Sequence, residues 1–385
     1  MRERADIDSA DPIDSRLGSV AAAPRGPWVW HRHALGLAAS PVPSFAALLV
    51  GLMLGPQALG VLTPGVLLAV APATVTATVA LGVLIGLDLA RDRNARPGLA
   101  RLAAGAAVEG GVTLLAVTAA LAAVAFVPAW RWLGASYMPV LLGVAAASSA
   151  MRMRGSDDEH TLGRLGDLDD LLPVVTGALL LAWVGGRSTA HSAALFGLTL
   201  ALSAAIAAAA ALLVTGSDNE GERRVYAAGA VLLLAGLAAS LAASTVFVGA
   251  LAAWVWNQSS ESARTSLARD VRYLQHPIVV LVLVIAGAEA VTSGPVIAAA
   301  GVFAVVRVVG KSAGGALAAR LVPGAGRWLG LRLIAPGAAG LAGVLMVVHG
   351  TSLASVSDPL LGIAVWGAVL SDLLAALVLP PESTT

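Results

Sequence analysis

GRLGDLDDLLPVVTGALLLAW, Gly163 to Trp183, is the stretch whose reading decides the fold. Two adjacent carboxylates, Asp169 and Asp170, stand at the head of an apolar run long enough to lie in a membrane. An ionisable side chain inside a bilayer costs roughly 2.5 to 3.5 kcal/mol on insertion scales, so a pair held there points to function. Two placements are open. A helix beginning near Leu168 makes Asp167, Asp169 and Asp170 a capping cluster at a helix N-terminus, where acids are favoured. A helix beginning near Thr161 puts the pair about two and a half turns in, roughly 13 Å along the axis at 1.5 Å per residue.

The rest of the chain has the same apolar character. Of 385 residues, 58% are hydrophobic and only 12% charged, and the mean hydropathy is +0.84. A soluble core of this size needs a far more polar surface, so the sequence describes an all-α polytopic membrane protein and excludes a soluble enzyme. Cysteine is absent, which removes disulfides, thiol chemistry and cysteine-ligated metal. There is no Walker loop, dinucleotide fingerprint or nucleophile elbow, so no cofactor and no nucleic-acid partner are expected. The first 27 residues mix acids and bases (Arg2, Glu3, Arg4, Asp6, Asp8, Asp11, Asp14, Arg16) without the apolar segment of a signal peptide. Residues 1–33 read as a flexible cytoplasmic tail and 380–385 as a short C-terminal one, flanking a single transmembrane domain over 34–379.

Apolar runs cut at charge clusters and Pro/Gly breaks give about twelve helices, near 34–55, 64–90, 98–127, 137–151, 161–185, 189–214, 225–241, 244–256, 277–291, 295–320, 329–349 and 359–379. Residues 225–256 also read as one long bent helix. The 24 cations test the division. Twenty fall on alternate connections, while the other connections hold only Arg131 and Arg187. This alternation is what the positive-inside rule demands, and it places both termini in the cytoplasm with an even number of helices.

The last two cations, Arg307 and Lys311, lie inside the tenth helix in VVRVVGKSAGG and share one face. Lys311 is the only lysine of the chain. An intramembrane ammonium needs a counter-charge; otherwise these side chains snorkel to the interface. Two helices look interrupted: the fourth, with Pro139 near its start and Ser148-Ser149 near its end, and the eleventh, with APGAAG (Ala335 to Gly340) in its middle. A Pro/Gly-broken pair in corresponding halves marks a transporter site at the midplane, because unwound backbone is tolerated at depth only where it lines a cavity. Glycine and proline are also common in uninterrupted membrane helices, so each break alone carries either reading. Glu109, Glu289 and Asp372 are further intramembrane acids, each suited to a proton relay, a charge partner or a structural hydrogen bond. Asp88 lies near a helix end beside Arg91 and Arg93 and reads as interfacial. The six histidines have no ligand-like spacing deep in a helix.

These motifs give the chain a resemblance to the monovalent cation:proton antiporter superfamily, nearest its potassium-efflux and sodium/proton branch. GLMLGPQALG (Gly51 to Gly60) resembles the family's G-x-x-LGP-x-x-LG helix end, and LIGLDL (Leu84 to Leu89) its GLE-D segment. AASSA followed by LDDLLPVV resembles the broken fourth helix and acidic fifth. VVRVVGKSAGG followed by LRLIAPGAAG resembles the tenth-helix GK and the broken eleventh. The similarity spans about residues 40–379.

The resemblance implies an inverted-repeat fold with the fourth and eleventh helices broken and crossed. It implies core helices over about 98–185 and 295–379, scaffold helices over about 34–90 and 189–291, and a homodimer in a prokaryotic plasma membrane. It puts Asp170 on the family's ion- and proton-binding acid, Asp169 on the preceding variable position and Lys311 on the tenth-helix cation beside them. This favours the intramembrane placement of the acid pair. The usual first helix of longer members is missing, and the connection between the fourth and fifth helices is shortened. With the chain stopping at Thr385, no C-terminal nucleotide-binding regulatory domain is expected.

The mechanism this implies is exchange of protons for Na⁺, K⁺ or Li⁺ by alternating access. The cation is held by oxygens of Asp170, Asp169, Ser148 or Ser149 and freed carbonyls. Titration of Asp169 and Lys311 as well makes the exchange electrogenic. Two rivals use the same residues differently: a channel-like potassium path with Asp170 as a selectivity charge, and a non-transporting scaffold or sensor.

Overall fold

The computed structural model describes residues 44–90, 99–134, 137–150, 159–186, 188–259, 261–322, 328–350 and 354–378. Both expected tails and residues 34–43 of the first expected helix lie outside the described residues. The chain is built of helices α1 (Ser44–Leu54), α2 (Pro64–Ala90), α3 (Leu99–Val124) and α4 (Met138–Ala147), then a two-residue strand β1 (Ser149–Ala150). There follow α5 (Glu159–Asp169), α6 (Leu171–Gly185), α7 (Thr189–Gly216), α8 (Glu220–Ser240), α9 (Thr245–Trp256), α10 (Glu261–Tyr273) and α11 (Gln275–Glu289). The last third holds α12 (Gly294–Leu321), α13 (Leu329–Arg332), strand β2 (Ala335–Pro336), α14 (Ala338–Gly350) and α15 (Ala354–Val378).

Among the described residues, six helices are long and apolar enough to cross a membrane, α5 and α6 counting as one, and six shorter apolar helices accompany them. Their order matches the twelve expected segments, and the chain is an integral membrane protein of all-α class. Residues 225–256 form two helices, parted where Ala242 takes a left-handed φ of 48°. The connection before the ninth expected segment is not a loop: it holds α10, whose apolar positions recur at helical spacing in an otherwise polar sequence.

Both expected interruptions are present. Pro336 has no N–H to give and pushes Ala335 to extended geometry, ending α13 and delaying α14. The break after α4 has no proline behind it; Ser148 turns extended at φ −64°, ψ 140°. The two extended segments cross as an antiparallel pair, Ser149 opposite Pro336 and Ala150 opposite Ala335. The crossing needs small residues. A Cβ on Gly340 would stand 2.6 Å from the Ala145 carbonyl oxygen, and one on Gly337 would stand 2.7 Å from the Ser149 nitrogen.

The helix bearing the acid pair begins at Glu159, as the intramembrane placement requires, and breaks for one residue at Asp170. Pro173 explains the break, since it cannot donate to the Asp169 carbonyl one turn back. Asp170 keeps helical angles, and Val174 N–H bonds its carbonyl at 3.2 Å, so the axis carries on. Its side chain makes no capping bond to α6, which removes the capping reading.

Elsewhere, glycine sets how closely helices approach. Gly82 and Gly86 of α2 meet Val246 and Ala250 of α9 almost backbone to backbone, as Gly249 of α9 meets Val79 and Val83 of α2, and Gly51 of α1 and Gly55 just after it meet Val284 and Ala288 of α11 in the same way. Without a hydrophobic drive between helices in lipid, such close backbone packing is what holds them together. The turn after α1 is tied to the start of α12 when Gln57 Oε1 accepts the Thr292 N–H at 2.6 Å. Replacing Gly249 by leucine is expected to cost about 1–3 kcal/mol through overpacking. This would be seen as a lowered Tm of the detergent-purified protein, whereas Gly236→Leu, on an exposed face of α8 with open space around it, leaves Tm unchanged.

Candidate ion-binding site

The site is organised from α12, whose buried face carries Arg307, Gly310, Lys311, Gly314 and Gly315. Arg307 and Lys311 are 1% and 0% exposed, so neither snorkels to an interface. The glycines let α3 come close: a Cβ on Gly314 would stand 2.7 Å from the Glu109 carbonyl oxygen.

Arg307 spends its guanidinium on backbone. Nε donates to Ala146 O at 3.0 Å and Nη2 to Ser148 O at 2.9 Å, both at the unwound end of α4. Nη1 donates to Ile334 O at 2.6 Å and Nη2 also to Ala335 O at 3.5 Å, on the other broken segment. A helix end leaves its last carbonyls without intrahelical donors, and its dipole is negative there. One planar fork therefore caps both interrupted segments at once.

Lys311 caps the remaining carbonyl, Nζ donating to Ala147 O at 2.7 Å, and turns its other bonds to the acids. It lies 2.8 Å from Asp169 Oδ2 and 2.9 Å from Glu109 Oε2, both partners fully buried, and it also donates to Ser149 Oγ. Ser149 Oγ is bonded to Asp169 Oδ2 in turn. Asp170 is 3% exposed and does not touch Lys311; its Oδ1 accepts from Ser148 Oγ at 2.6 Å. Within α3, Thr113 Oγ1 donates to the main-chain carbonyl of Glu109 one turn back at 2.9 Å.

Of the residues expected at the site, Ser148, Ser149, Asp169, Asp170, Arg307, Lys311 and Glu109 come together. Asp372 on α15 is buried and within electrostatic range of Arg307. Glu289 does not join them. It ends α11, where its Oε2 lies 2.9 Å from His349 Nε2 at the end of α14, a pair the sequence did not reveal. Asp88, at the end of α2, is held by Arg272 of α10 at 3.0 Å. The freed carbonyls of Ala146, Ala147, Ser148, Ile334 and Ala335 each accept from Arg307 or Lys311. What the site presents is side-chain oxygen, the carboxylates and Ser148. A hard monovalent cation suits such ligands.

No protein-family model matches the sequence, and no curated protein matches it. Among solved structures, the chain is similar to the sodium proton antiporter MjNhaP1 from Methanocaldococcus jannaschii at pH 8, with a TM-score of 0.59 over 87% of this chain and 89% of that one. The chain shares the fold of that antiporter. Sequence identity over the match is 15%, so the likeness is one of fold.

The Arg307 contacts make a prediction about stability. Arg307→Ala leaves buried carbonyls without donors, each costing about 1–3 kcal/mol, and should lower thermal stability in detergent by about 3 kcal/mol or more. Arg307→Lys should recover only part of this, because an ammonium lacks the fork that spans two chain segments. A wild-type Tm for Arg307→Ala would show that the crossing does not depend on it.

Proposed function

We propose that this chain exchanges protons for a monovalent cation across the membrane by alternating access, with Asp170, assisted by Asp169, as the shared site. The observation that carries the reading is Asp170 itself: a carboxylate at a helix break, 3% exposed, bonded to Ser148 at the crossing and left outside the Lys311 ion pair. An uncompensated buried carboxylate wants either a proton or a cation. Both would use the same oxygens, and that competition is the coupling. The antiporter fold supports the same reading, and the near-complete burial of Asp170 fits an occluded carrier better than an open pore.

In this scheme the helices around the crossing move as a core against the others, both termini lie in the cytoplasm of a prokaryotic cell, and two copies associate through the scaffold helices. The twenty cations on alternate connections support the orientation.

The test is cation-induced proton movement in proteoliposomes or everted vesicles, with Na⁺, K⁺ and Li⁺ offered in turn. Wild type should move protons with at least one of them, and Asp170→Asn should abolish the signal. Equal behaviour of the two proteins defeats the reading, and cation flux that ignores an imposed pH gradient indicates a channel. Ser148→Ala removes a hydrogen bond to a charged group worth about 1.5 kcal/mol or more, and should raise the half-saturating cation concentration roughly tenfold. Lowering the pH should raise the same constant in wild type, because protons occupy the oxygens the cation needs.

A further inference from the structure

Glu289 and His349 take no part in the crossing, yet they join helices that the exchange reading moves against each other. Glu289 ends α11, and His349 stands next to last in α14, the helix that continues the broken segment at Pro336. His349 Nε2 lies 2.9 Å from Glu289 Oε2, and the two side chains are only 19% and 12% exposed. The contact is not an aligned hydrogen bond: Nε2 has no hydrogen-bond partner among the described residues. A hydrogen bond weakens steeply off its axis, whereas the attraction of opposite charges depends on their distance. A neutral imidazole therefore gains little at this position, and an imidazolium gains a counter-charge. Imidazole is also the side chain whose charge changes in the neutral range. Around the pair, α14 meets its neighbours on a mostly apolar face. Val344 and Val347 line a small apolar cavity with Val246 of α9 and Leu181 of α6, and Thr78 of α2 reaches Met346 Sδ at 3.6 Å. Such a face can shift without breaking strong bonds; the ion pair is what resists.

We propose that His349 and Glu289 form a proton-operated latch between α14 and α11. Closed while the imidazole carries its proton, it ties the core to the neighbouring helices; loss of that proton frees the core to move. The proposal rests on the exchange reading and adds a regulation to it. Of the elements packed closely on α11 and α14, helices α1, α4, α6 and α9 carry no charged residue. Asp88 of α2, the charged residues of α10 and His276 belong to the opposite end, where α11 begins. On α15, Asp372 lies towards Arg307, and Asp358 stands near the helix start. Asp358 is therefore the second acid to test. The latch lies away from Asp170, so it limits the maximal rate and leaves the half-saturating cation concentration to competition at that carboxylate. Pairs this close to water are weak, and the effect is modest.

The test compares maximal transport rates of variant and wild type in proteoliposomes, at saturating Na⁺, K⁺ or Li⁺ and under identical gradients. The ratio for His349→Gln should be about threefold to fivefold near pH 6 and about one near pH 8. Glu289→Gln should behave in the same way. His349→Arg, charged throughout, should be slower than wild type near pH 8 and equal to it near pH 6. A ratio for His349→Gln that does not change with pH overturns the latch. So does an Asp358→Asn variant that reproduces the pattern while Glu289→Gln does not. A second measurement needs no transport. In purified full-length protein, the Tm margin of wild type over His349→Gln should be present near pH 6 and lost near pH 8.5, because the pair stabilises only while the imidazole is protonated. A margin equal at both values overturns the pair; should His349→Gln not fold, Glu289→Gln gives both readings. If no cation moves protons in wild type, the exchange reading falls, while the Tm margin still decides whether the two side chains are held together by charge.

Discussion

The guanidinium of Arg307, bonded to carbonyls of two separate broken helices, is the interaction on which the rest of the structure depends. Interrupting a helix inside a bilayer exposes polar backbone that has no water to turn to, and each such group is costly. Proline accounts for the break at Ala335-Pro336. Nothing of the kind follows α4, and there the cations of α12 stand in for the missing helical N–H donors. The broken geometry is thus encoded about 160 residues away from where it occurs, on a different helix.

The same placement divides the labour between two residues one turn apart. Arg307 is committed to backbone and to the two chain segments it joins. Lys311, with one carbonyl to serve, keeps bonds for Glu109 and Asp169, so the charge balance of the acids is set by the helix that also fixes the crossing. Asp170 is the acid that neither cation touches. Consecutive residues on a helix point about 100° apart, so Asp169 and Asp170 turn to different partners, Lys311 with Ser149 for the first and Ser148 for the second.

Much of this was legible in the sequence, and what was not has a physical reason. Membrane-length apolar runs and the alternation of arginine on the connections give the helices and their order, because both patterns answer directly to the bilayer. APGAAG announced its break through proline and glycine, whereas the close approach of Gly337 and Gly340 to Ala145, Ser148 and Ser149 shows only in the packing. The stranded Arg307 and Lys311 announced a need for partners but not which ones. Backbone carbonyls carry no residue identity, so the acceptors of Arg307 leave no trace in the sequence. Glu109, Glu289 and Asp372 looked alike as lone acids in apolar helices, and only the packing of α3 on α12 sets Glu109 apart. The amphipathic α10 was hidden by its polarity, although Leu267, Ala268 and Val271 recur at helical spacing.

A contact made to main chain asks nothing of the side chains it passes except that they be small. Substitutions at Ala146 or Ala335 that keep the backbone path leave those acceptors of Arg307 in place, so these two positions can drift with little loss of the contact. An architecture pinned in this manner can persist long after the letters that spelled it have changed.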